Sequence, residues 1–458
     1  MILGIPTSIV SLVLLIVFIF VCFIAIKRPI YEIMLLGYIL TVVTTGRFDL
    51  FIANIIRPST SALFFAIVVF MLLAHVLDST KVIQRITDII MSSVGRFKGG
   101  AGYVAVAIST FMSALSGTGP GNVAATGVFT IPTMIKTGFP RQLAANVEMT
   151  ASSLGPMIPP SGTIILAYGI LDTFLAEGSK IPMSSFWLLS WGVGAWFILQ
   201  RFFTLWFYCW KYKVEPVPLS EIKPLRETLS YGWSAMLLPV IILAPFLMDG
   251  MMGDSIANWV TDAGKSAFAG SILVFTPGLA AVYALTLSKN YLWKGESWVR
   301  VFAMLQSSCK KVVPVAATVY FAYAIAFIFA DVGLDNALAE IVTSLQMSRV
   351  VLTVVTVLFF TVIAMILPGS GSLALFGGGF LAIFAAAGVS PVLVAAVLPS
   401  LTGALSGMVP PVAVALYAAI GIAQSNVGDT IRMSLVWTGL HLSVALFILL
   451  GLLPVFGL

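Results

Sequence analysis

The chain has 458 residues, 60% of them hydrophobic and only 9% Asp, Glu, Lys or Arg, with a net charge of +6. Soluble domains carry roughly 25% charged residues, so this composition leaves no room for a sizeable soluble domain. The apolar runs are long and continuous rather than alternating, which excludes a β-barrel and predicts an all-α polytopic membrane protein.

Ser8 to Ile26 reads as the first span. Lys27-Arg28 follows it and no basic stretch precedes it, the reverse of a cleaved signal peptide. Ile30 to Thr45 returns, Arg47 to Ser61 is a short amphipathic connection, and Ala62 to Leu77 spans again. From Asp78 to Lys98, Val82, Ile83, Ile86, Ile89 and Ile90 recur at helical spacing opposite Lys81, Arg85 and Asp88. That pattern predicts a helix lying on the membrane surface or against another subunit. Gly99 to Thr137 is too long for one span and is interrupted at Gly117 to Gly121, which predicts a re-entrant hairpin.

Phe139 to Asp172 is the stretch around which the rest is organised. Its middle, Ser152-Ser153-Leu154-Gly155-Pro156-Met157-Ile158-Pro159-Pro160-Ser161, cannot continue a helix. Proline lacks the N–H, clashes with the preceding turn and biases its neighbour away from α. The freed backbone groups are tolerated at membrane depth only in protein or beside a wet cavity. Ser184 to Tyr208, Trp233 to Met248, Ala267 to Leu287 and Val312 to Ala330 follow as spans, with a charged loop from Lys211 to Glu227. Leu334 to Met347 matches the earlier surface helix in position.

Val350 to Ala387 is a second interrupted hairpin, broken at Pro368 to Ser372. Pro391 to Gln424 is a second broken helix, interrupted from Gly403 through Pro410-Pro411. Leu435 to Phe456 ends the chain. The order of hairpin, turn and broken helix thus occurs twice, and paired interrupted segments are the best sequence pointer to a transporter site. With Lys27-Arg28 in the cytoplasm, most Lys and Arg fall on that side. Only Arg47, Arg57, Lys180, Lys265 and Arg349 fall outside, and Arg201 lies near a span end. The positive-inside rule then makes the two halves inverted repeats, with both termini outside.

The chemistry available is sparse. His75 and His441 stand in apolar surroundings and read as packed, hydrogen-bonded histidines. Cys22, Cys209 and Cys309 are scattered and suggest neither disulfides nor a metal site. Gly117-Thr118-Gly119-Pro120-Gly121 lacks the Gly-Lys-Ser/Thr ending and the preceding strand of a phosphate loop. No nucleotide-hydrolysing module is visible, so transport must draw on an ion gradient or a separate subunit. The interruptions hold hydroxyls, amides and glycines: Ser113, Ser116, Thr118, Asn122, Ser370, Ser372 and Ser406. Hard cations prefer oxygen, and such residues suit a Na⁺ site without a carboxylate. The competing reading is close helix packing by small residues. Glu148 is the one acid well inside a predicted helix, either a coupling acid or one half of an interface pair. Trp187, Trp210, Trp233, Trp259 and Trp298 read as interface anchors.

The chain resembles the large membrane subunit of a tripartite ATP-independent periplasmic (TRAP) transporter. The resemblance rests on Ser116-Gly117-Thr118-Gly119-Pro120-Gly121-Asn122-Val123-Ala124-Ala125-Thr126-Gly127, on Phe129-Thr130-Ile131-Pro132, and on Ser152-Ser153-Leu154-Gly155 with Ile158-Pro159-Pro160-Ser161. In the second half it rests on Pro410-Pro411-Val412-Ala413. It implies an elevator-type, Na⁺-coupled secondary transporter in the bacterial inner membrane, not an enzyme. A member of this family is expected to take up a small organic acid, such as a dicarboxylate, delivered by a periplasmic solute-binding protein beside a small four-span subunit. The resemblance implies Na⁺ as the coupling ion and no other cofactor.

On this reading the chain divides into scaffold spans 1-77, first-repeat transport elements 78-183, scaffold spans 184-330, second-repeat transport elements 331-425 and a C-terminal span 426-458. Substrate and cation contacts are expected in the first repeat from Ser116, Gly117, Thr118, Asn122, Gly155, Met157 and Pro159. In the second they are expected from Ser370, Gly371, Ser372, Gly403, Ser406, Val409 and Pro410. Na⁺ itself is expected at Ser116 with Gly155 and at Ser370 with Ser406. The alternative is a stand-alone anion transporter or a Na⁺/H⁺ exchanger on a similar inverted-repeat fold.

Overall fold

Proline and glycine set the boundaries of nearly every element in the chain. The computed structural model describes residues 6–80, 82–117, 119–176, 179–257, 262–288, 297–344, 347–365, 367–410 and 413–456. All regular structure among them is helical. Seven of the described helices are long and apolar enough to cross a membrane, or eight if the bent pair Phe48–Thr60 and Ala62–Leu77 is one span. Apolar side chains such as Val17, Phe203, Trp206 and Phe275 point outward, as a lipid-facing surface requires.

Both hairpins and both broken helices form where the prolines and glycines put them. The first hairpin is Gly100–Ser116 and Gly119–Lys136, turned by Gly117 at φ +64. Its broken helix is Arg141–Ser152, a 3₁₀ turn Gly155–Met157, and Gly162–Phe174. The second hairpin is Arg349–Ala364 and Gly369–Ala386. The second broken helix runs Pro391–Pro399, loosens into a π turn Ser400–Ala404, closes as Leu405–Met408 and restarts as Val414–Ala423.

The two repeats are inverted. The open end of the first hairpin lies beside the loop after Tyr212, where Glu215 N donates to Thr137 O at 3.0 Å and Val217 N to Gly95 O at 3.1 Å. The open end of the second lies at the opposite pole, where Arg349 donates to Leu449 O at 2.8 and 2.6 Å. Arg141 Nη1 donates to Ala423 O at 2.8 Å, bringing the start of one broken helix to the end of the other. The surface helix Val82–Val94 docks on Leu225–Gly232, and Asp88 there accepts from Lys223 Nζ at 2.8 Å and Tyr231 Oη at 2.5 Å. The bond to Asp88 raises the Lys223 pKa above its ordinary value.

Several expectations need correction. The last helix is Val427–Leu449, eight residues earlier at its start than the apolar pattern suggests, because Asn426 caps it by accepting from Asp429 N. The basic stretch before Val312 belongs to one 35-residue helix, Ser297–Asp331. Trp187 is not an interface anchor; it is buried against Phe246, ring centroids 3.9 Å apart. Trp259 lies outside the described residues. Arg201 sits mid-way along the helix Met183–Tyr212 and is completely buried.

The exposed loop residue Lys213 tests the orientation. Lys213→Cys should react with impermeant maleimide only from the cytoplasmic side of intact or inverted vesicles. Labelling from outside alone would reverse the assignment.

Candidate functional site

The four interruptions converge on one cavity of about 260 Å³. Four helices begin at its wall: Gly119–Lys136, Gly162–Phe174, Gly369–Ala386 and Val414–Ala423, and the first residue of each lines it. The first N–H groups of a helix have no partner within it and carry its positive dipole end. At Gly162 one is satisfied locally, since Ser161 Oγ accepts from Ile164 N at 3.2 Å. At Gly369 and Val414 the preceding residues are Pro368 and Ala413, and neither supplies a side-chain cap. The hydroxyl-bearing residues Thr163, Ser370 and Ser406 line the same space, against an apolar wall that includes Ile67, Phe70 and Val319. No Lys, Arg, His, Asp or Glu is among the described residues that line it.

Glycines let the interruptions touch. A Cβ on Gly155 would stand 1.9 Å from Ser113 Oγ and 2.1 Å from the Ser113 carbonyl carbon and oxygen. A Cβ on Gly369 would stand 2.2 Å from Gly403 Cα, and one on Gly403 would stand 2.5 Å from Pro156 Cβ. Hairpin one therefore rests on break one, hairpin two on break two, and the breaks on each other. Gly407 is less tightly held; its Cβ would meet Ser153 Oγ at 3.1 Å.

The expected site residues divide. Gly117, Ser370, Gly403 and Ser406 line the cavity. Ser116 ends its helix between Leu115 and Gly117, which both line the cavity, and its side chain, like the whole of Thr118, lies outside the described residues. Asn122 turns away, its Nδ2 donating to Ser109 O at 2.9 Å and Ser152 Oγ at 2.8 Å. Gly155, Met157 and Val409 are buried, Gly155 against Ser113 of the first hairpin. Pro159 borders a different, apolar cavity of about 420 Å³ with Val106, Trp191 and Phe202. Gly371 and Ser372 face the protein, Ser372 Oγ donating to Pro368 O at 3.1 Å. Pro410 is half-buried at the end of break two.

Glu148 is fully buried and meets no base among the described residues, which removes the interface pair. Four hydroxyls donate to it. Ser109, Thr126 and Ser152 reach Oε1 at 2.8, 2.6 and 3.1 Å, and Thr130 reaches Oε2 at 2.6 Å. Asn122, Thr126 and Thr130 recur every fourth residue, so one face of a helix carries them, a pattern legible in the sequence. Thr163 was legible too, since Ser161 after Pro-Pro is a helix-start signal.

Sequence reasoning missed the Arg201 cluster. Arg201 Nη2 donates to His441 Nδ1 at 2.9 Å, Nε to Thr150 O at 3.5 Å, and Nη1 to Gln200 Oε1. His441 Nε2 donates to Ser400 O at 2.9 Å. A carbonyl only accepts, so the proton is on Nε2 and Nδ1 accepts from the guanidinium. Thr150 O lies in the last turn before break one and Ser400 O opens the π turn of break two. Arg201 and His441 thus satisfy carbonyls that both breaks release.

Comparison with known proteins gives the same architecture. The C4-dicarboxylate TRAP transporter large permease protein DctM of Rhodobacter capsulatus is 25% identical over 409 residues, covering 86% of this chain and 85% of that protein. The sialic acid TRAP transporter large permease protein SiaM of Vibrio cholerae is 24% identical over 178 residues, 39% of this chain and 40% of that protein. Two solved transporters share the fold. MtrF of Neisseria gonorrhoeae superposes with a TM-score of 0.62 at 13% identity, over 89% of this chain and 85% of that one. YdaH of Alcanivorax borkumensis superposes at 0.58 and 14%, over 87% and 88%. The family described as tripartite ATP-independent periplasmic transporter, DctM component, matches residues 14–456, through both hairpins and both breaks, and the chain belongs to that family.

Proposed function

We infer that this chain is the large permease of a Na⁺-coupled system that takes up a small organic acid across a bacterial inner membrane. The observation that carries this reading is the meeting of four helix N-termini at one cavity that has no basic side chain among the described residues lining it. Each terminus contributes roughly half a positive charge, and uncapped amides at Gly369 and Val414 can donate to a carboxylate. The relatives support the substrate class, since their names include C4-dicarboxylate, isethionate and sialic acid. Family membership supports delivery by a periplasmic binding protein and a small four-span membrane partner.

Na⁺ binds where a hairpin tip meets a break, in each repeat once. Carbonyls and hydroxyls from Ser116 to Asn122 and Gly155 to Pro159 form the first site, and those from Gly369 to Ser372 and Gly403 to Pro410 form the second. C-terminal helix ends turn partial negative charge toward these places, and a bound cation satisfies carbonyls that a bilayer cannot. The broken elements 78-183 and 331-425 move as the carrying body against scaffold spans 1-77 and 184-330, in elevator fashion, with 426-458 as the closing span.

Uptake into proteoliposomes holding the chain and its partners tests the coupling. Ser370→Ala should raise the Na⁺ concentration for half-maximal uptake about three- to tenfold, because the cation loses one oxygen ligand, an effect about the size of one typical hydrogen bond, about 1 kcal/mol. Uptake that continues unchanged with choline in place of Na⁺ would defeat Na⁺ coupling and leave an exchanger or stand-alone anion transporter.

A further inference from the structure

Beside the hydroxyls that hold Glu148 lies another cavity, of about 560 Å³, between the surface helix Val82–Val94 and the hairpin helix Gly119–Lys136. Gln84, Thr87, Asp88 and Thr133 line it from the outer side, and Thr126 and Thr130 from the inner side. Gln84 and Ala124 on its wall are exposed, so the space reaches the surface of the chain. Thr126 and Thr130 are the two residues with the shortest bonds to Glu148, both 2.6 Å. The buried carboxyl is therefore one hydroxyl away from an open space into which Gln84, Thr87, Asp88 and three further threonines bring polar groups. A water there has the several polar partners it needs.

We propose that Glu148 is a proton-binding site, loaded and emptied through the Thr130 hydroxyl from the cavity at Asp88. The hydroxyl network accommodates both states of the carboxyl. In the ionised state Ser109, Thr126, Thr130 and Ser152 all donate to it. In the neutral state Oε2 carries the proton and donates to Thr130 Oγ1. The Thr130 hydroxyl then turns to Thr126 O, 3.1 Å away, and Thr126 retains Asn122 O at 2.9 Å as its own alternative acceptor. Loading is a relay: a hydronium in the cavity gives a proton to Thr130 Oγ1 as the Thr130 proton passes to Oε2. The hydronium leaves as water, the hydroxyl is unchanged and the carboxylate is neutral. Emptying runs the same step backward.

A proton fits here better than a metal cation. Ser109 Oγ and Thr126 Oγ1 are 3.0 Å apart and already bonded to the carboxylate, and a Cβ on Gly127 would stand 3.2 Å from Glu148 Cγ. An ion would have to push this closed set apart; a proton would not. Charged neighbours are turned elsewhere. On the same helix Arg141 donates to Ala423 O, and on the elements packed against it Arg201 pairs with His441 and Asp429 with Arg432 at 3.9 Å. Lys136 stands six residues beyond Thr130, about 9 Å along the helix. Tyr103 and Tyr417 are the phenols on the two neighbouring helices Gly100–Ser116 and Val414–Ala423, and neither bonds Glu148. Protonation of Glu148 is independent of which cation drives transport.

Infrared difference spectroscopy on the purified full chain in liposomes tests this without any substrate. Lowering pH from about 9 to about 5, across the range where carboxyl groups in proteins titrate, should raise a carboxylic-acid C=O band that is absent from Glu148→Gln. On transfer to heavy water that band should shift about five- to tenfold more slowly in Thr130→Val, with Thr130→Ser restoring the rate. The threonine variants keep the carboxyl, so the test survives if Glu148→Gln does not fold. A carboxyl that does not titrate in this range, or exchange that ignores Thr130→Val, would overturn the proposal.

Discussion

Gly155→Ala should remove both stability and transport. The added methyl would lie 2.1 Å from the Ser113 carbonyl, against an ordinary contact near 3.4 Å, and backbone cannot swing aside as a long side chain can. Hairpin and broken helix would have to part by about 1 Å, at the contact that shapes the cavity. Overpacking of this severity costs about 3 kcal/mol or more. Uptake should fall at least about tenfold, and the purified protein should melt earlier. Gly369→Ala and Gly403→Ala should behave alike, whereas Gly407→Ala, with 3.1 Å of room, should be milder. Two controls separate crowding from backbone freedom. Gly421→Ala meets nothing within 4 Å inside a helix and should stabilise by up to about 1 kcal/mol. Gly388→Ala has open space but φ +73, and should cost about 1 kcal/mol. Wild-type melting and uptake in Gly155→Ala would mean that tip and break do not touch in the membrane.

Arg201→Leu should be nearly as damaging, for a different reason. A buried cation with no acid beside it would normally be expelled. Here the last turn of one half-helix turns its negative end toward the guanidinium, and His441 and Gln200 accept from it. Leucine fills the space but leaves Thr150 O, Gln200 Oε1 and His441 Nδ1 without their donor. Each buried orphan costs about 1–3 kcal/mol, so a loss of about 3 kcal/mol or more in total is expected. Arg201→Lys should rescue only part, since an ammonium cannot reach partners spread as a fork does. Because His441 both accepts from Arg201 and caps Ser400 O, His441→Ala and Arg201→Leu should combine to less than their sum. Full additivity in thermal melts would show that the two residues act apart.

The repeated order of hairpin and broken helix was legible because proline and glycine act through local backbone rules that need no tertiary context. The Gly117 turn, the Gly155–Met157 break and the Pro368 start all follow from one or two residues. Which side chains face the shared cavity was only half legible. Ser370 and Ser406 line it, but Asn122 turns inward because Ser152, on another helix, offers it a partner. Arg201 was misread for a related reason. Apolar pattern places a charge at a span end by default, and only the packed neighbours reveal carbonyls able to hold it inside. The start of the last helix was missed although Asn426 is a plain cap, because the hydrophobic run begins later than the helix does.

The contact between Gly403 and Pro156 has a bearing on how such proteins can be recombined. A chimera joined between the repeats, taking its first half from this chain and its second from a relative, would bring together two breaks shaped in different backgrounds. Whatever residue the donor carries opposite Pro156 must still leave that backbone bare. The smallest exchangeable piece is then the matched pair of breaks, and a swap that respects the boundary between the halves but divides the pair begins with a steric fault at its centre.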